Sequence, residues 1–118
     1  MLLRPIIPVV LLYKQKLVRY AALIDSGADY NVFHGDVAMY LGIKLKTGSK
    51  KHIAGISGNI RGYEHKIHMR IGDYMYKTSV IFSDQIPDNA LAVLGSKGFF
   101  DQFVVTLDYS QKLIEIKR

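Results

Sequence analysis

Ala21-Ala22-Leu23-Ile24-Asp25-Ser26-Gly27-Ala28-Asp29 is the stretch from which the rest of the chain can be read. An apolar, strand-like run ends abruptly there in an acid, a hydroxyl and a glycine. Gly27 lets the backbone bend tightly, so Asp25 is expected where the strand leaves the core, with Ser26 free to hydrogen-bond neighbouring backbone. A carboxylate so placed is costly to ionise without partners.

Working outward towards the N-terminus, two apolar runs, Ile6 to Tyr13 and Leu17 to Ile24, flank Lys14-Gln15-Lys16. They predict a hairpin that delivers Asp25. On the other side, Asn31 to His34 is short and mixed. Gly35 to Gly42 predicts a short helix, with Val37, Tyr40 and Leu41 at three- and four-residue spacing and Gly42 as its C-terminal cap. Lys44 to Lys51 reads as a polar loop or ragged strand. His52-Ile53-Ala54 and Asn59-Ile60-Arg61-Gly62 then enclose Gly55-Ile56-Ser57-Gly58, two strands joined by a supple tip.

Beyond the tip, Ile67, Met69 and Ile71 alternate with His68 and Arg70. The period of two resumes after Gly72-Asp73 through Tyr74, Tyr76, Thr78, Val80 and Phe82, which predicts a hairpin with a two-residue loop. Ser83 to Asn89 is turn-rich, and Ala90 to Leu94 predicts a buried strand. Ser96 is placed to cap a short helix through Phe103, with Phe99 and Phe103 facing the core. Val104 to Leu107 and Leu113 to Ile116 predict a last strand pair.

These 118 residues read as a single domain, 1–118, with no repeat, linker or low-complexity segment, and too short for a two-lobed enzyme. A hydrophobic fraction of 49% with 22% charged residues excludes intrinsic disorder. The net charge of +6 is scattered along the sequence, with Lys50-Lys51 and Lys117-Arg118 the only adjacent basic pairs, which weighs against nucleic acid as a partner. With no cysteine there is neither a disulfide framework nor a thiol nucleophile. Met1 to Leu12 is apolar but interrupted by Arg4, Pro5 and Pro8, and falls short of the ~20 residues that span a bilayer. It reads as an edge strand rather than a signal or membrane segment. The absence of cysteine leaves the compartment unspecified, with the cytoplasm favoured, or a soluble domain within a larger polyprotein or membrane protein.

Asp25-Ser26-Gly27-Ala28-Asp29 resembles the active-site signature of the retroviral-type, or retropepsin-like, aspartic proteases. Ala92-Val93-Leu94-Gly95 resembles the segment that passes behind the active-site turn in that family. Gly55-Ile56-Ser57-Gly58 stands where the family carries its flap. The resemblance implies a mostly β, closed barrel-like lobe with a flap hairpin and one or two short helices. Because one chain supplies a single Asp-Ser-Gly triplet, it also implies a homodimer. Two Asp25 carboxylates would share one proton, activate a water and cleave an extended peptide or protein substrate without metal or cofactor. Ser26 would brace the two loops across the dimer axis, while Ala28, Asp29, Gly55 to Gly58, Val93 and Leu94 would hold substrate. Ile24 is a further pocket candidate.

In one respect the chain departs from the family pattern. The downstream glycine is commonly followed by an arginine that pairs with the aspartate of the signature; here Ser96, Lys97 and Gly98 follow, leaving Lys97 or Arg4 as substitutes. The alternative reading is a catalytically silent retropepsin-like domain that binds peptides or dimerises. Rival chemistries fit less well. Ser26 lies in no Gly-x-Ser-x-Gly elbow. Residues 95–98 lack a phosphate-loop ending. His65 and His68, three apart on a strand, point to opposite faces rather than to one metal.

Overall fold

A computed structural model describes residues 4–55 and 58–118. Strands β1 (Ile6–Tyr13) and β2 (Lys16–Ile24) pair in antiparallel register from Ile6–Leu23 to Tyr13–Lys16. Their loop is two residues long, one shorter than expected, and Lys14 takes a positive φ of 54° to close it. Next come the short β3 (Val32–His34), helix α1 (Gly35–Tyr40), a 3-10 turn at Leu45–Thr47, and β4 (Ser49–Gly55). The long β5 (Gly58–Ile71) and β6 (Tyr74–Ser83) form the predicted hairpin around Gly72-Asp73, with Gly72 at φ 57°. β7 (Ala92–Leu94) and the pair β8 (Val104–Asp108) and β9 (Leu113–Lys117) complete the chain.

Six strands close on themselves in the order β1-β2-β7-β3-β6-β5, with β5 returning to β1 through Val10–Arg70, Leu11–Met69 and Leu12–His68. Alternation explains the closure: Val9, Leu11, Ile67, Met69, Tyr76 and Val80 all point inward and are almost fully buried. Inside, Phe33, Phe82 and Phe99 are inaccessible to solvent. The protein is thus mostly β, a closed barrel with one short α-helix. β4 lies outside the ring and, among the described residues, pairs only with β5, from Ser49–Glu64 to Gly55–Gly58, so the two form an arm.

Both helical expectations also differ from the structure. α1 ends at Tyr40, short of the expected Gly42, and buries Gly35, Val37 and Ala38, with Leu41 buried as its C-cap, while Tyr40 is 62% exposed rather than on the apolar face. No helix forms from Ser96 to Phe103. Gly98 sits at φ 104°, which breaks helical geometry, and the N–H groups of Phe100 and Asp101 reach back five residues to Gly95 and Ser96. Phe99 and Phe103 nevertheless reach the core as predicted.

Candidate active site

β2 runs parallel to β7, with Ile24 opposite Leu94. At its end the Asp25 N–H donates to the Leu94 carbonyl at 3.0 Å, and the Ala28 N–H returns to the Asp25 carbonyl at 3.1 Å. The Gly27 N–H donates to Asp25 Oδ1 at 2.9 Å. That bond fixes the carboxylate over its own turn and leaves the other oxygen free of any hydrogen bond among the described residues. Asp25 is half-buried and Ser26 exposed.

A second segment crosses behind this turn. Ser96 N–H donates to the Ala28 carbonyl and Lys97 N–H to the Asp29 carbonyl, each at 2.9 Å. Gly95 makes the crossing possible: a Cβ there would lie 2.6 Å from the carbonyl oxygens of both Ala28 and Tyr30, closer than real Cβ atoms approach. Asn31, fully buried, locks the crossing. Its Oδ1 accepts the Gly95 N–H at 3.1 Å, its Nδ2 donates to the Ser79 carbonyl at 3.2 Å, and its own carbonyl accepts the Ile81 N–H at 2.8 Å. A buried amide bonded both to β6 and to the residue just past β7 is costly to remove. Asn31 went unnoticed in the sequence because it stands in a short mixed segment; its polarity beside apolar Val32 and Phe33 is the signal that could have revealed it.

Asp25, Gly27 and Ala28 form the floor of a cleft of about 470 Å³. Ile53, Ala54 and Ile60 of the β4–β5 arm line one wall. Ile86, Pro87, Ala90 and Leu91 line the other, and Val32 and Val93 back it. The loop wall was not expected from the sequence: residues 84–89 carry no periodicity, and Ala90 and Leu91, read as the start of a buried strand, stand half-buried in the loop because β7 begins only at Ala92. The cleft is therefore an apolar trough with one carboxylate at its base and a second, Asp29, at its margin, a shape that suits an extended chain.

The expected site residues distribute as follows. Asp25, Gly27, Ala28, Asp29 and Val93 line the cleft. Gly55 and Gly58 end β4 and begin β5 at the far end of the arm; Ile56 and Ser57 lie outside the described residues. Leu94 is fully buried behind the turn rather than facing the cleft, because alternation on β7 turns Val93 outward and Leu94 into the core. Ile24 and Ser26 open onto the opposite side, a depression shared with Pro5, Phe100, Val105 and Leu107. Lys97 does not pair with Asp29; its Nζ lies 3.6 Å from Glu64 Oε2 and 5.9 Å from the Tyr30 ring centroid. Among the described residues Asp29 has no ion pair, and neither has Arg4.

His65 and His68 do fall on opposite sides of β5, but only His68 is solvated. His65 stacks near Phe82 and bonds the Leu45 carbonyl at 2.8 Å. His34, Asp36 and Asp88 bring three ligand-type atoms within 4.8 Å of one another. Both aspartates are exposed, and His34 Nδ1 already accepts the Asp36 N–H at 3.0 Å, so the histidine serves as the cap of α1. Its Nε2 lies 2.9 Å from Asp88 Oδ1, too poorly aligned for a hydrogen bond.

A closed barrel with an arm above a crossed aspartate turn is the architecture of the retroviral proteases. EIAV protease, solved in complex with an inhibitor, superposes with a TM-score of 0.60 over 79% of this chain and 82% of its own, at 24% sequence identity. No protein-family model and no curated protein sequence matches the chain.

Proposed function

We propose that the protein is an aspartic endopeptidase that works as a homodimer. The observation carrying this reading is the Asp25 turn itself: a carboxylate held by a backbone N–H at the floor of an apolar trough, on the fold of a retroviral protease. One chain brings one such carboxylate. The depression on the far side of Asp25 is lined by apolar Ile24, Phe100, Val105 and Leu107, and the neighbouring β8–β9 hairpin exposes Val104, Tyr109 and Leu113. A second copy seated there would cover that surface and bring its own Asp25 to the first.

In such a dimer the two carboxylates share one proton, because two adjacent charges repel. The ionised one takes a proton from water, whose oxygen attacks the scissile carbonyl; the protonated one hydrogen-bonds the carbonyl oxygen. The proton then passes to the leaving nitrogen. Substrate lies extended, pairing its backbone with the arm and placing apolar side chains against Ile53, Ile86 and Val93.

The test is cleavage of a diverse peptide mixture between about pH 4 and 7, read by mass spectrometry, with Asp25→Asn as comparator and sedimentation at the assay concentration. Cleavage lost in the variant, by a dimeric wild type, is the expected result. A strictly monomeric wild type that cleaves, or cleavage that survives Asp25→Asn, would refute the mechanism.

A further inference from the structure

The basic residues that are scattered in sequence gather in space, on the outer wall of the barrel formed by β2, β1, β5 and β6. Register places them in rows. One row reads Arg19, Val10, Arg70, Met75 across the four strands, and the next reads Leu17, Leu12, His68, Lys77. Lys66 follows on β5, opposite Ser79, and the tip of the β1–β2 hairpin adds Lys14 and Lys16 at the margin. Six of the 16 lysines and arginines thus stand on this wall and its tip, with none of the ten acids between them; the remaining ten cations balance the ten acids. The wall and its tip together hold as many cations as the net charge of +6. The nearest acids lie at its edges: Glu64 is engaged by Lys51 and Lys97, Asp73 is in the β5–β6 turn, and Asp101 lines a shallow depression of about 310 Å³ with Lys66, Lys77 and Lys97.

What stands between the cations decides the partner. The interleaved side chains are aliphatic: Leu17 is 52% exposed, Met75 50%, and Leu12 half-buried. Val10, flanked by both arginines, is only 8% exposed, consistent with their aliphatic stems lying over it. The His68 imidazole is the one exposed ring in the two rows, and no exposed Phe, Tyr or Trp stands there to build a stacking platform for successive bases, which disfavours single-stranded nucleic acid. Cations with aliphatic side chains protruding among them suit a phosphate-bearing, apolar-backed surface instead.

We infer that this wall docks the protein on an anionic lipid bilayer, lysines and arginines against the headgroup phosphates and Leu17 and Met75 at the acyl boundary. No helix among the described residues is long and apolar enough to cross a membrane; the proposed contact is of side chains on the outer wall with the headgroup layer. Leu17 lies eight residues before Asp25 along β2, roughly 26 Å at ~3.3 Å per residue, so a docked molecule keeps its cleft clear of the surface. This inference is independent of whether the cleft cleaves peptides.

The experiment is flotation of the full chain with vesicles of phosphatidylcholine alone or mixed with phosphatidylglycerol, at low and high salt, with a single-stranded oligonucleotide as competitor. The expected result is binding to the anionic vesicles only, released by salt. Lys66→Gln/Arg70→Gln/Lys77→Gln should weaken partitioning roughly a hundredfold, about fivefold per charge. Leu17→Ser/Met75→Ser, which leaves the charge intact, should weaken it about tenfold. Lys44→Gln/Lys46→Gln/Lys112→Gln, equal in charge but placed elsewhere, should change it by less than a fifth as much as the wall triple. Hydrogen exchange of the unmodified protein should slow in the β1–β2 tip and β5–β6 hairpin when anionic vesicles are added, and not in β8–β9. Absence of binding, equal losses in the two charge triples, or tighter binding of the oligonucleotide with no effect of Leu17→Ser/Met75→Ser would each overturn the inference.

Discussion

Two aspartates in this molecule end strands in nearly the same local way. Asp25 follows β2 and accepts the Gly27 N–H at 2.9 Å; Asp108 ends β8 and accepts the Ser110 hydroxyl at 2.8 Å and the Gln111 N–H at 3.1 Å. Both are half-exposed. They differ in what lies behind them. Asp25 backs onto a crossing strand, a buried asparagine and an apolar trough, whereas Asp108 sits at the turn of a two-stranded hairpin and lines neither that trough nor the depression on its far side. A carboxylate on a tight turn is thus common chemistry, and only the surroundings separate a candidate catalyst from a turn-former.

The largest effect that could break this contrast is on turnover. Asp25→Asn should lower peptide cleavage by about a thousandfold or more, while Asp108→Asn leaves it within about twofold. Equal losses would show that the two turns are not functionally distinct. Next comes the crossing. Gly95→Ala forces a Cβ against backbone that cannot retreat and should cost about 3 kcal/mol in urea unfolding, with activity falling alongside. Asn31→Ala strands the Gly95 N–H and the Ser79 carbonyl inside the barrel; about 2–3 kcal/mol is expected, seen as a melting temperature lower by roughly 10 °C.

The smallest effect belongs to Asp108. The Ser110 hydroxyl and the Gln111 N–H hold its carboxyl below the usual carboxylate range. A lowered folded-state value stabilises the hairpin above the unfolded value of 3.8 and loses that contribution as pH falls through the folded one. Amide exchange at Ser110 and Gln111 should therefore accelerate only at strongly acid pH, and Asp108→Asn should remove that dependence. At the opposite extreme, burial pushes the Tyr76 hydroxyl well above its ordinary range, so its bond to the Gly98 carbonyl at 2.8 Å persists across the assay window.

Much of this was legible from residue order. Alternation from Ile67 to Phe82 gave the β5–β6 hairpin and its two-residue loop, and the apolar run into Asp25-Ser26-Gly27 gave the strand and turn. What escaped depends on contacts between distant segments. The left-handed Gly98 stops a helix that the local spacing of Ser96, Phe99 and Phe103 favours. Leu94 and Val93 look equivalent until pairing with β2 decides which faces the core. The wall of residues 86–91 is set by where the loop lands, and the outer basic face by register, neither of which sequence spacing reveals.

The parallel pairing of β2 with β7 also governs when the site can come into being. Ala22 meets Ala92 and Tyr30 meets Lys97, partners some seventy residues apart. Contacts of such separation form late, after the local hairpins. A chain emerging from the ribosome carries Asp25 early but has nothing to brace it until residues 92–97 are made and folded back. The Asp25 turn therefore acquires its cleft and its bracing only when the barrel closes, as one of the last features of the molecule to form.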